Sequence, residues 1–193
     1  MKIFELIRKV SNETLVERCR KDDPKAQREL YDRFAPKILV VCKRYVTRYE
    51  IAEEVLSNSF IKAFRSIGFL EQASKIEGWL RKIAVRESLD YLKANTKIWT
   101  NLDELVGSAE PFEADASHLL SAAELLAMIE KLPVGYRTVF NLFAMEGYKH
   151  FEIAEMLGIS ENTSKTQLMK ARIFLQKMIL NLEEQEKNYG KIR

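Results

Sequence analysis

The stretch EIAEMLGISENTSKTQL, residues 152–168, is where the fold of this chain can be read most directly. Ile153 and Leu157 stand one helical turn apart, and with Ile159 and Leu168 they can close a small core. Ala154 is small where two helices would cross closely. Gly158 can adopt the positive φ that a tight turn demands. Ser160 then reads as the N-cap of a second helix. The exposed first turns of that helix offer Glu161, Asn162, Thr163, Lys165 and Thr166, and Lys170 and Arg172 come on a later turn. Short polar groups at a helix N-terminus suit base edges, and flanking Lys and Arg suit phosphates. The stretch reads as a DNA-binding helix-turn-helix; an ordinary helical hairpin would need neither this turn nor the basic flank. Two positions depart from the ideal pattern. Ser164 stands where an aliphatic residue is commoner, so its hydroxyl is expected to bond back to a helical carbonyl. Gln167 stands where a basic residue would help with phosphates.

Outward from this motif the chain is helical in both directions. The recognition helix continues through Leu168, Ala171, Leu175, Met178, Ile179 and Leu182, with a charged tail expected to fray from Glu183. Upstream, Tyr136, Val139, Phe140 and Phe143 recur at helical spacing up to Glu146-Gly147. Before them Ala122, Leu125, Leu126 and Ile129 form a helix stopped at Leu132-Pro133. Periodicity is weak from Thr96 to Ser117. Before that gap lie helices carrying Trp79, Leu80, Ile83, Ala84 and Tyr91, and Ala52, Val55, Leu56, Ser59, Phe60, Ala63 and Phe64. A further helix opens at Asp23-Pro24, cap then proline at the first turn, with Pro36 expected to end it and open another. Asn12 is expected to cap a short first helix carrying Leu15, Val16 and Cys19. Residues 68–75 read as a loop. The fold class is all-α: two small helical domains joined by an acidic linker, the C-terminal one a helix-turn-helix. The expected boundaries are 1–95, 96–120 for the linker, 121–185, and a tail at 186–193.

Composition narrows the function. The chain has 193 residues with a net charge of +3, but the sum hides a pattern. Residues 1–97 carry 21 basic and 14 acidic side chains, whereas residues 98–124 carry six acids and no Lys or Arg. An acidic stretch between two basic blocks suits a linker between modules that meet a polyanion. Cys19 and Cys42 lie within helical patterns, and His118 and His150 stand alone, so neither a disulfide framework nor a zinc site is expected. No apolar run approaches a membrane span, and a cytoplasmic protein is expected. There is no Gly-rich phosphate loop, metal-ligand cluster or nucleophile motif, so no enzyme and no cofactor are expected.

Several ordered motifs then point to a family. They are AQRELYDRFAP from Ala26, AEEVL from Ala52, FIKAF from Phe60, and GWLRKIA from Gly78 with LDYLK from Leu89 after it. In the C-terminal part they are Leu132-Pro133, YRTVFNL from Tyr136, EGY from Glu146 and KAR from Lys170. Over roughly residues 12–180 the chain resembles a bacterial extracytoplasmic-function sigma factor of the sigma-70 family. The resemblance implies a first domain that grips core RNA polymerase and melts the minus-ten promoter element. It implies a second domain whose helix-turn-helix reads the minus-thirty-five duplex. An anti-sigma factor is a further partner it implies.

Carried over position by position, the resemblance assigns polymerase binding to Glu53, Glu54, Ser57 and Asn58. The family usually has a Gln-Glu pair where this chain has Ser57-Asn58. Arg86 stands where the family often has an Asn that contacts the minus-ten strand. The segment 66–75 corresponds to the promoter-opening loop, and Trp79 is expected in the core. DNA contacts in the second domain fall to Asn162, Thr163, Lys165, Thr166, Lys170 and Arg172. The rival reading is a stand-alone helix-turn-helix regulator that binds duplex DNA by itself.

Overall fold

Helices α1 (Asn12–Arg20), α2 (Pro24–Tyr45), α3 (Tyr49–Ser66) and all but the last turn of α4 (Ile76–Asn95) build the first of two units in this computed structural model. Helices α5 (Ala122–Glu130), α6 (Val134–Phe140), α7 (His150–Leu157) and α8 (Glu161–Gly190) build the second. The structure describes residues 10–95 and 121–190, the two units divide between Tyr91 and Leu92, and the described residues include no strand. Most of the expected acidic linker lies outside the described residues.

In the first unit, Ser11 rather than Asn12 caps α1: its hydroxyl accepts the Thr14 N–H at 3.2 Å, and Asn12 is already helical. Asp23 caps α2 by accepting the N–H groups of Lys25 and Ala26 at 2.9 and 3.3 Å. Its carboxylate also takes Arg18 Nε at 2.9 Å, and that bond holds it below the ordinary carboxylate range. Pro36 does not end α2; the helix runs through it for 22 residues. A proline inside a helix forfeits a hydrogen bond and clashes one turn back, at a cost of about 3 kcal/mol. The stripe Ala26, Leu30, Phe34, Ile38, Cys42 and Tyr45 stays in phase across Pro36, and all six are buried. Burying several such side chains at about 1.5–3 kcal/mol each outweighs that cost.

The core of this unit adds Leu15, Val16 and Cys19 from α1, Ala52, Val55, Leu56, Phe60 and Ala63 from α3, and Leu80, Ala84 and Leu89 from α4. Both cysteines are free and buried, and desolvation pushes the Cys42 thiol up to about 12. The expected loop after α3 contains two 3₁₀ turns, Ile67–Phe69 and Ala73–Lys75, pinned by buried Ile67 and Leu70. Lys37 ties α2 to α4 through Glu77 at 2.7 Å, and Lys62 on α3 pairs with Glu87 on α4.

The second unit packs α5 against α8 through Met128, Ile129, Leu132, Ala171 and Leu175, with Tyr136, Phe140 and Met178 partly buried against them. Leu125, expected on the inner face of α5, is exposed; the buried stripe is Met128, Ile129 and Leu132 instead. Ser121 and Glu124 form a reciprocal capping box at the start of α5. At its other end Arg137, buried in α6, donates Nη1 to the carbonyls of Glu130 at 2.9 Å and Leu132 at 3.3 Å. After α6 the helix widens into a π-turn over Asn141–Met145, where the sequence pattern suggests uninterrupted α-helix. Beyond Leu182, α8 remains helical to Gly190, so the tail does not fray where expected. No glycine or proline interrupts residues 183–189.

Candidate functional site

The turn of the second unit is built as its sequence demands. Gly158 closes α7 in the left-handed region, φ 69° and ψ 36°, and its N–H returns to the Ala154 carbonyl at 2.9 Å. Ser160 starts α8 by accepting the Thr163 N–H at 3.0 Å. Ile153, Leu157 and Leu168 are buried between the two helices, and Ile159 is half-buried. The angle and spacing of α7 and α8 are thereby fixed by a three-residue turn and a small core.

This seating decides which candidate residues face outward. At about 100° per residue, Lys165 and Arg172 fall within about 20° of each other on one border of the exposed arc of α8. Asn162 and Thr166 lie across its middle, and Lys170 marks the opposite border. Asn162, Lys165 and Arg172 are exposed, and Thr166 and Lys170 are half-buried. Thr163 is not on the arc. It is buried, and its hydroxyl is bonded to Ser160 Oγ at 2.7 Å, so it completes the cap. Gln167 also faces inward, 1% exposed, with its Oε1 buried and without a hydrogen-bond partner. It therefore bears on packing, not on phosphates. Ser164, fully buried, does not bond back to its helix as expected; its hydroxyl meets His150 Nδ1 at 2.9 Å.

In the first unit, Glu53, Glu54, Ser57 and Asn58 are all exposed on one face of α3, in line with Ile61, a large apolar side chain left 48% exposed. The Ser57 hydroxyl is committed to its own helix, donating to the Glu53 carbonyl at 2.9 Å. Glu53 in turn accepts from the Tyr49 hydroxyl, a bond that raises the Tyr49 pKa. Asn58 and Glu54 keep their full reach.

A third surface runs along α4. Trp79, Lys82 and Arg86 recur at three and four residues on its outer side, just after Lys75. Trp79 is half-buried, not core as expected, and lines an open cavity of about 420 Å³ with Phe69, Leu70, Gln72, Lys75 and Lys82. Phe69 is 84% exposed at its rim. With two lysines against one carboxylate, Glu71, in its lining, an aromatic wall of this kind suits an unstacked base with its phosphates. Arg86 is exposed. Asp90, its expected ion-pair partner, lies instead 3.8 Å from Lys62. Phe69 and Lys75 fall in the segment 66–75 and Lys82 in the motif GWLRKIA, but none of the three is named there as a contact residue, although the spacing of Lys75, Trp79, Lys82 and Arg86 carries a signal for the two lysines.

Family models match both units in chain order. Sigma-70 region 2 covers residues 30–98, and sigma-70 region 4 covers residues 122–175. The chain is 31% identical over 183 residues to the ECF RNA polymerase sigma-E factor of Haemophilus influenzae, spanning 88% of this chain and 96% of the relative. It is 29% identical over 175 residues to the factor of the same name from Escherichia coli K12, spanning 84% and 91%. Among solved structures, it matches the sigma factor RpoE of Bartonella quintana, crystallised with the anti-sigma factor NepR, at TM-score 0.48 and 17% identity over 80% of this chain and 96% of that one.

Proposed function

The chain belongs to the extracytoplasmic-function branch of the sigma-70 family, and we propose that it acts through the three surfaces described above. It is a sigma factor, binding core RNA polymerase and directing initiation at particular promoters. The observation that carries this is the pairing of region 2 and region 4 in one chain, in that order, across nearly the whole length of the relatives. A stand-alone regulator would need no region 2, and that reading is set aside.

In this proposal α3 is the polymerase contact. Glu54 and Asn58 reach out from it, Glu53 is steadied by Tyr49, and Ile61 supplies apolar area. The α4 surface holds the opened minus-ten strand: Phe69 and Trp79 face a base, while Lys75, Lys82 and Arg86 meet its phosphates. Arginine only donates and carries a permanent charge, so Arg86 supplies grip or a guanine contact where an asparagine would read a base by its amide. On α8, Asn162 and Thr166 face base edges, and Lys165, Lys170 and Arg172 hold the backbone on either side. The chain itself makes and breaks no covalent bond in this scheme, and it works in the cytoplasm with an anti-sigma factor as its restraint. Among the described residues no helix is long and apolar enough to cross a membrane.

Co-elution with bacterial core polymerase, in competition with a principal sigma factor, tests the reading. A stoichiometric complex is expected. Failure to bind core, together with tight binding of free duplex by the chain alone, would restore the stand-alone regulator.

A further inference from the structure

The family reading leaves the surroundings of His150 unused. His150 opens α7, and its ring stacks on Phe143 from the π-turn, centroids 4.8 Å apart and planes 22° from parallel. Its Nδ1 meets the buried hydroxyl of Ser164 at 2.9 Å, so α7, α8 and the π-turn all hold the ring. The ring also borders an open cavity of about 290 Å³ along the outer side of α8, walled by Lys165, Met169, Arg172 and Gln176. Lys165 pairs there with Glu161 at 2.7 Å, a half-exposed surface pair that a stronger anion can displace. Arg172 lies 6.0 Å from the Phe143 ring.

We propose that this cavity seats a backbone phosphate of the promoter duplex and that His150 takes up a proton as the phosphate arrives, so that the recognition helix grips DNA more tightly as pH falls. The inference rests on the reading of α8 as a recognition helix and adds a proton-linked residue to it. The charged groups acting on His150 from α8 are Lys165 and Arg172, which oppose its protonation, and Glu161, which favours it. Lys149 and Glu152 flank it in sequence, with the Glu152 carboxylate occupied at the Lys149 N–H, and Asn141–Met145 bring no charge. Burial and the two cations hold the free imidazole below its ordinary value. A phosphate beside Lys165 and Arg172 reverses that balance, so binding and protonation favour each other.

The hydrogen bonds permit the change. In the neutral ring Ser164 donates to Nδ1, leaving the Nε2 proton for the cavity. In the cation Nδ1 donates to Ser164 Oγ, which then accepts. The link to α8 survives in both states.

The chain has two histidines, so the His150 ring resonances can be assigned with H150N and titrated in the full chain. The titration is run with and without a mixed-sequence 20-base-pair duplex at low salt, because phosphate contacts do not depend on sequence. The His150 midpoint should rise by about one unit or more with duplex, equivalent to about a tenfold gain in affinity across the transition. Holoenzyme affinity for the same duplex should gain severalfold more between pH 7.5 and 5.5 in the wild type than in H150Q. A midpoint unmoved by bound duplex, or an equal pH dependence in H150Q, would overturn the proposal. The wild-type titration does not depend on the variant folding. If the holoenzyme binds no duplex through α8 at all, the recognition-helix reading fails first and the seat with it.

Discussion

Gly158 holds the recognition motif together by backbone conformation alone. Its φ of 69° suits a residue without Cβ, and a Cβ built there meets nothing within 4 Å. Any cost of substitution is therefore local strain. Gly158→Ala should lower the stability of the second unit by about 1 kcal/mol, and Gly158→Asn by less, in a thermal melt of the full chain. This residue and Ser160 are legible in the sequence because turn and cap chemistry are decided within four positions. Thr163, Ser164 and Gln167 are not. Whether a polar side chain on α8 faces outward or into the core depends on the rotation of the helix against α6 and α7, which no local pattern records. Gln167 shows the consequence: its buried Oε1 has no partner. Gln167→Met fills the same space without a polar atom and should raise stability by about 1 kcal/mol, measured by denaturant midpoint. An unchanged or lowered midpoint would show that the amide is satisfied in solution.

At the scale of elements, α2 and α3 show what periodicity can and cannot settle. The apolar stripe of α3 fixes its inner face and hence the exposure of Glu53, Glu54, Ser57 and Asn58. In α2 an equally regular stripe competes with Pro36, and the stripe wins because the apolar burial it brings exceeds the cost of one broken helical hydrogen bond. The π-turn is invisible to periodicity for a related reason: one extra residue in a turn leaves composition untouched and shifts only the direction in which the chain enters α7. Reversal of Glu53 and Glu54 to Lys should weaken core polymerase binding at least tenfold by competition while leaving the thermal melt unchanged, since both side chains are exposed. Restoring the family's Gln-Glu pair at Ser57-Asn58 should tighten it. If neither change alters the competition, α3 is not the polymerase contact.

The borders of α8 allow a parallel test by salt. Ala at Lys165, Lys170 or Arg172 should reduce the slope of log affinity against log salt by about one unit for each phosphate released, on every duplex tested. Substitutions at Asn162 or Thr166, mid-arc, should change which sequence is preferred and leave the slope alone. Uniform weakening across sequences for all five would contradict the division between border and centre. Thr163→Ala belongs to a different class. It removes a hydroxyl from the cap, so it should alter stability rather than sequence preference.

Across the whole molecule, the order of the motifs makes the two sigma-70 regions legible in the sequence, region 2 over residues 30–98 and region 4 over residues 122–175. The cavity beside Trp79 and the seating of His150 are not, because Phe69 and Ser164 reach those places through the fold and not through sequence spacing. The central claim is that the chain lends core polymerase a choice of promoter. Its most direct test is transcription of genomic DNA from the source organism by bacterial core polymerase, with and without the chain, mapping the 5′ end of every transcript. The account predicts start sites that occur only with the chain and share two short upstream elements, one near minus ten and one near minus thirty-five. Starts that are unchanged by the chain, or new starts with no shared upstream elements, would contradict it.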